Sequence, residues 1–309
     1  MKYRKLGQTE LEVSVLSYGA SSLGSVFRDI NEAEGIKSVH AAIDQGINLI
    51  DVSPYYGLTK AETVLGKALV DISRDKYFLS TKVGRYGENS FDFSRNKIKQ
   101  SLEESLQRLG TDYVDILYLH DIEFGSCKQV MEEGLPALED LKKQGKIRFY
   151  GVSGLPLTIF EKVLNKKELD VILSYCHYSL NDTSLLSIIP LLKEKQVGLV
   201  NASPLSMGLL SPRPVADWHP ADEEMKRICH KAADFCKEQG EDIVKLAVQY
   251  SVQNDLIPTT LVSTASEKNI TKNIKWTEEP MNKELLEEVL DILKPIHNKT
   301  WPSGNDEWN

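Results

Sequence analysis

From residue 15 onward the chain alternates short runs of apolar and β-branched residues with longer stretches in which apolar residues recur three and four positions apart. The short runs suit strands buried on both faces, whereas the three-and-four spacing lays one apolar stripe along a helix. The candidate strands are residues 15–19, 47–51, 77–82, 114–119, 147–153, 171–175, 197–202 and 259–262. Between them, Asn31 is expected to cap a helix reaching Gln45, Ser94 to cap a helix over 96–109, and a helix over 128–144 to stop at Gly145. Strands and helices in strict alternation imply a parallel sheet covered by helices.

Eight such units favour closure into a (β/α)8 TIM barrel over an open, doubly wound sheet. Neither Gly-x-Gly-x-x-Gly nor Gly-x-x-x-x-Gly-Lys, the phosphate-loop signatures of the open fold, occurs. Two additions are expected. Residues 3–13 alternate around Gly7-Gln8-Thr9 and read as a β-hairpin closing the barrel floor. Residues 283–297 read as an extra amphipathic helix, followed by the tail Trp301-Pro302-Ser303-Gly304, for which packing is favoured over a lid role.

Composition changes this picture little. No Pro-, Ser- or Gly-rich linker and no low-complexity tract divides the chain, so residues 1–309 are expected to form a single barrel domain. The net charge of −8, without a basic stripe, argues against nucleic acid as a partner. The N-terminus lacks the apolar core of a signal peptide and no run is long enough to span a bilayer, so a cytoplasmic protein without membrane partners is expected. The four cysteines, Cys127, Cys176, Cys229 and Cys236, show no metal-ligand spacing, and no metal is expected. Cys229 and Cys236, seven apart on one helix face, read as apolar filling rather than a redox pair. Three Asn-x-Thr matches, at Asn181, Asn269 and Asn298, carry little meaning without a secretion signal. The oligomeric state is not legible.

The chemistry lies where the apolar runs end. Asp51 closes the second candidate strand, Lys82 the third, and His120 follows the fourth; Tyr56 stands in the loop Val52-Ser53-Pro54-Tyr55-Tyr56-Gly57. In an α/β barrel the C-terminal strand ends share one mouth, where chemistry is done. Singly, a buried His or Lys is more often structural, but four such residues at one mouth form a working set. A lysine ammonium stabilises a neighbouring phenolate and lowers its pKa, and Asp51 would keep Lys82 charged in a partly desolvated mouth. Tyr56 could then exchange a proton with a carbonyl or alcohol oxygen. His120 would hydrogen-bond the same oxygen.

These residues, in type, order and strand position, resemble the catalytic tetrad of the aldo-keto reductase family. Gly151-Val152-Ser153 and Ala202-Ser203-Pro204-Leu205-Ser206-Met207-Gly208-Leu209-Leu210 extend the resemblance over essentially the whole chain. Within the family, the segments His120-Asp121-Ile122-Glu123-Phe124-Gly125-Ser126, Ser174-Tyr175-Cys176-His177-Tyr178, Trp218-His219-Pro220 and the Trp301 tail are similar to the L-galactose dehydrogenase group. That group oxidises the C1 hemiacetal of a sugar to a lactone with NAD, one step before ascorbate.

The resemblance implies that Tyr56 is the general acid/base, Lys82 its pKa-lowering neighbour, Asp51 the partner of Lys82 and His120 the substrate-orienting group. Tyr56, His120, Asp121 and His177 are thereby expected to face a small-molecule sugar. Gly19, Ala20, Asp51, Ser153, Gly154, Ser174 and Gly208 are expected to line the cofactor site, and the backbone at Ser203 and Leu205 to meet the pyrophosphate. The adenosine end is expected near Ser263, Thr264, Ser266, Asn269 and Asn273, with Ser266 also an N-cap. Two positions depart from the wider family: Gly154 replaces a carboxamide-binding Asn, and Ala202 replaces an aromatic that stacks on the nicotinamide. Ser263 and Asn269 stand where NADP-dependent relatives place cations, which favours NAD, although Lys268 and Lys272 lie close enough to keep NADP as an alternative.

Other readings stay open at this point. A related aldose such as L-fucose or D-arabinose is one, and a general NAD(P)H aldehyde reductase is another. Some members of the superfamily are auxiliary subunits of ion channels, which gives a non-enzymatic alternative. A Schiff-base lysine at Lys82, with Tyr56 as relay, is the remaining one.

Overall fold

In the computed structural model, which describes residues 1–26 and 28–308, eight strands close into a barrel. They are β1 (Leu16–Gly19), β2 (Leu49–Asp51), β3 (Phe78–Val83), β4 (Val114–Leu119), β5 (Ile147–Gly154), β6 (Val171–Tyr175), β7 (Gly198–Ala202) and β8 (Thr259–Ser263). Every neighbouring pair is parallel, and β8 returns to β1 with Thr260 opposite Leu16 and Ser263 opposite Gly19. The strands at 114–119 and 171–175 run over the residues expected, and the others differ by one or two residues at an end. Strands covered on both faces need apolar residues at successive positions, and all six residues of β4 are buried.

The principal helices are α1 (Glu32–Asp44), α2 (Lys60–Leu69), α3 (Arg95–Leu109), α4 (Leu135–Lys143), α5 (Leu157–Leu164), α6 (Ile189–Glu194), α7 (Glu223–Glu238), α8 (Ile243–Gln253), α9 (Glu267–Trp276) and α10 (Lys283–Leu293). Asn31 caps α1 as expected, its side chain accepting from the Glu34 amide. Ser94 occupies the cap position of α3 without a capping side-chain bond; its own amide donates to Asp92 at 2.8 Å. The single helix expected over 128–144 is interrupted by a wide π-type turn at Val130–Gly134. Pro136, in the first turn of α4, has no amide hydrogen to continue an α-helical ladder, and Leu135 bonds instead to Val130. The C-terminal helix ends at Leu293 and tightens into a 3-10 turn, Lys294–Ile296.

The barrel floor is shut by the N-terminal hairpin, in which Tyr3–Lys5 pairs with Glu12–Ser14. Its Leu6, Leu11 and Val13 are buried with Leu49, Ile116, Val171, Val200 and Leu261 from the barrel strands. Gly7 makes the close approach: its φ is +59°, and a Cβ there would stand 2.3 Å from the Gly198 amide at the start of β7. The tail after α10 packs rather than hanging free. Trp308 is buried and its Nε1 donates to Gly125 at 2.8 Å, and the Asn305 amide donates to the Glu123 carbonyl at 2.9 Å. Among the described residues, no helix is long and apolar enough to cross a membrane.

Candidate active site

The strand ends bring Asp51, Tyr56, Lys82 and His120 together at one mouth. Lys82, only 1% exposed, donates from Nζ to Asp51 Oδ2 and, at 2.9 Å, to the Val52 carbonyl. The other Asp51 oxygen accepts from Ser80 Oγ at 2.7 Å. Burial alone would push the Lys82 ammonium down, but Asp51 and Tyr56 outweigh it and hold the pKa above its ordinary value. Lys82 is therefore a cation at neutral pH. An amine so firmly protonated and ion-paired is a poor nucleophile, which speaks against the Schiff-base reading.

Lys82 Nζ stands 4.9 Å from the centre of the Tyr56 ring. Burial pushes the Tyr56 phenol up, Lys82 pulls it down, and Asp51 and Asp121 push it up again; the outcome lies above the ordinary phenol value. The lowering by Lys82 expected from the sequence is thus present and outweighed by burial. The His120 ring meets that of Tyr56 edge-on, with centres 5.7 Å apart.

Ser53 Oγ accepts from the Tyr55 amide at 3.1 Å and pairs with His120 Nδ1, 2.9 Å away, which leaves Nε2 as the ring nitrogen available to a substrate oxygen. Burial, reinforced by Lys82 and Arg85, holds the imidazole pKa well below its ordinary value, so the ring is neutral. A neutral ring with Nε2–H is a hydrogen-bond donor for a substrate oxygen.

Next to the tetrad lies a second polar group that sequence reading saw only in part. Asp121, in the left-handed region at φ 51°, turns its buried carboxylate to 3.6 Å from His120 Nε2 and into an ion pair with Arg85. Burial raises the Asp121 pKa, against the lowering by Arg85. Arg85 also donates to Tyr55 Oη at 3.0 Å and stacks 3.8 Å over the Tyr55 ring centre, flanked by Phe91 and Phe124. Arg85 and Tyr55 escape a strand-end reading because Tyr55 lies in a loop and Arg85 in a small two-stranded hairpin outside the barrel, where it stands opposite Phe91, and the partners of both are set by three-dimensional contact. The signal that was available is an Arg three residues beyond Lys82.

Glu123 was also missed as a chemical feature. It is fully buried: Oε1 accepts from the Leu155 amide at 3.0 Å and from Ser303 Oγ at 3.1 Å, while Oε2 has no partner. Burial, with Asp121 adding to it, pushes the carboxyl up to about 8. A Cβ on Gly154 would stand 2.3 Å from Glu123 Oε2, so the space an Asn side chain would need is already taken.

His177, expected to face substrate, has Nδ1 2.9 Å from Ser184 Oγ and 3.3 Å from the Asp182 carboxylate, which holds the ring to the loop after β6, while Nε2 is buried without a protein partner.

The residues expected to hold a dinucleotide line the same C-terminal rim. Gly19 ends β1, Ala20 opens a 3-10 turn, Ser153 and Gly154 end β5, and Ser174 lies in β6 with its hydroxyl buried and unpartnered. After β7, Ser203, Ser206, Met207 and Gly208 all have positive φ, which turns Ser203–Leu205 tightly over the rim. Ser263 Oγ is within 2.8 Å of Ser21 and Ser22 Oγ and accepts from the Ser22 amide, knitting β8 to the turn after β1. Thr264 Oγ1 accepts from the Ser266 amide, and Ser266 sits at the cap of α9 without a side-chain capping bond. Asn269 and Asn273 lie on α9. The unpartnered Ser174 hydroxyl and the small residues at the rim suit a nicotinamide dinucleotide, while the first amide of α9, that of Glu267, donates to Glu34 Oε1 at 3.2 Å. Among the described residues, no three His, Cys, Asp or Glu side chains converge on a metal position.

Buried thiols fit a packing role. Burial pushes Cys229 up to about 12 and Cys236 up to about 11.

Comparison with known proteins agrees with this geometry. A model of the Aldo/keto reductase family matches residues 15–294. The chain is 48% identical to an L-galactose dehydrogenase from Arabidopsis thaliana, with 98% of each chain covered. It is 36% identical to a D-arabinose 1-dehydrogenase from Saccharomyces cerevisiae, over 78% of this chain and 75% of that one. Among solved structures, an aldo-keto reductase from Bacillus halodurans in its holo form superposes with a TM-score of 0.76 at 29% identity, covering 94% of this chain and 96% of that one.

Proposed function

Because the chain belongs to the aldo/keto reductase family and is an oxidoreductase, we propose that it oxidises the C1 hemiacetal of an aldose of the L-galactose type to the lactone, with NAD as acceptor. The bound nicotinamide supplies one function, acceptance of the hydride that leaves C1. The protein handles the remaining proton. The C1 hydroxyl passes its proton to the Tyr56 phenolate oxygen as the C1–H electron pair departs, leaving the C1=O of the lactone and a neutral phenol.

Each residue of the set has a task in that step. Lys82, kept charged by Asp51, stabilises the phenolate form of Tyr56 against burial. His120 donates from Nε2 to the C1 oxygen and fixes its distance from Tyr56. Ser174, Ser153 and Gly19 line the nicotinamide half, Ser203 and Leu205 the pyrophosphate, and Ser263, Ser266 and Asn269 the adenosine end. One observation carries the reading: a neutral imidazole, its Nδ1 engaged by Ser53, stands edge-on to a phenol beside a buried Lys–Asp pair, the arrangement an alcohol oxidation needs.

The test is direct. The purified protein mixed with NAD and L-galactose should generate reduced-cofactor absorbance, with L-fucose and D-arabinose as the alternatives to compare. The Lys82→Met variant should still bind NAD, read by quenching of protein fluorescence, and lose turnover. No turnover of any aldose by the unaltered protein would overturn the proposal.

A further inference from the structure

We infer that the Arg85–Asp121 pair, with Tyr55, forms a subsite for the hydroxyl on the carbon next to the reacting one, so that the preferred substrates are 2-hydroxylated hemiacetals. The inference rests on the function proposed above and names what that site reads. Three observations carry it. First, Asp121 Oδ2 lies 3.6 Å from His120 Nε2, beyond a hydrogen bond yet on the very side of the ring that faces the reacting oxygen, since Nδ1 is taken by Ser53. Hydroxyls on adjacent carbons lie about one hydrogen-bond length apart. An oxygen held by His120 therefore brings its vicinal neighbour to Asp121.

Second, the pair is held rigidly. Arg85 is clamped between the Asp121 carboxylate and Tyr55 Oη, stacked on the Tyr55 ring and walled by Phe91 and Phe124, whose own rings stack at 5.0 Å. A positioned charge pair at a mouth discriminates by being left unpaired when the wrong substrate enters. Third, the pair still has unused bonding capacity. Tyr55 Oη accepts from Arg85, which leaves its hydrogen for a ligand, and Arg85 Nε is buried without a partner. The carboxylate accepts the 2-hydroxyl hydrogen, and the phenol and guanidinium donate to its oxygen.

The experiment compares an aldose with its 2-deoxy counterpart, L-galactose against 2-deoxy-L-galactose, using the full-length protein and NAD. The unaltered protein should prefer the 2-hydroxy sugar in kcat/KM by about 100-fold, as expected for a hydroxyl bound to a charged group. Asp121→Asn and Arg85→Met should collapse that ratio to within a few-fold, whatever loss the two sugars share. Tyr55→Phe, which removes one oxygen at a half-exposed position, should lower the ratio about tenfold and serves if the charge variants do not fold. A ratio that is already small in the unaltered protein, or that survives in the folded variants, overturns the inference. Absence of turnover with every aldose overturns instead the function on which it rests.

Discussion

Tyr56 sits between opposing influences: burial lifts its pKa above the ordinary phenol value while Lys82 pulls it down. Oxidation requires the phenolate and carbonyl reduction requires the phenol, so the two directions respond to pH with opposite sign. The kcat/KM for aldose oxidation is expected to climb steadily with alkalinity, with no plateau below about pH 9, because the base form is still scarce there. Aldehyde reduction should be flat over the same span. His120, neutral with a pKa well below its usual range, adds no acidic limb near neutrality. Paired pH–rate profiles of the two directions check this, and an oxidation rate that falls with alkalinity is the contrary result. The four tetrad residues were legible in the sequence because each stands at or just past an apolar run. Ser53, Tyr55 and Arg85 were not, because a hydroxyl that pairs with an imidazole or a guanidinium that clamps a carboxylate has no pattern of its own in one dimension.

The eight strands were readable because a barrel demands successive apolar residues, as at Ile116-Leu117-Tyr118-Leu119 in β4 and Val171-Ile172-Leu173 in β6. The π-type turn before α4 was not, since periodicity runs smoothly through it and only the missing amide of Pro136 betrays the break. The tail is the element with the most to test. It covers the 3-10 turn Ile122–Phe124, and it shields Glu123, whose side chain bonds Ser303 and leaves no room for a Cβ at Gly304. The Glu123 carboxyl titrates near 8 when folded, against an ordinary value of 4.5. Between those values the folded chain binds more protons than the unfolded one, so this group's contribution to stability falls as pH rises, and the loss is complete above about pH 8. Glu123→Gln keeps the shape and removes the charge. Its stability should match that of the unaltered protein at about pH 4 and exceed it increasingly up to about pH 8, by a few kcal/mol at most since each pKa unit is worth about 1.4 kcal/mol, and the melting temperature should follow. Thermal melts at a series of pH values read this directly, and a constant offset between the two proteins would show that Glu123 is not the titrating group.

At the scale of the whole molecule, cofactor choice is expected to follow from where the barrel closes. The turn after β1 meets the end of β8 through Ser21, Ser22 and Ser263, so the adenosine end is expected to rest on hydroxyls, with Asn269 in the first turn of α9. A 2′-phosphate there would meet neutral partners on a chain whose net charge is −8. Local and global electrostatics are then expected to act in the same direction, against NADP. Lys268 and Lys272 are exposed, and ammonium groups in water compensate a phosphate far less than a buried cation does. A ligand that binds only the folded state adds about 2.7 kcal/mol at one hundred times its dissociation constant. NAD should therefore raise the melting temperature more than an equal concentration of NADP, and its KM should be lower by roughly tenfold or more. Added salt should narrow the gap by screening the exposed charges, and Ser263→Arg should narrow it further by supplying the missing cation. If NADP stabilises the unaltered protein as strongly as NAD, the exposed lysines of α9 rather than the serines of β8 and the turn after β1 govern the choice.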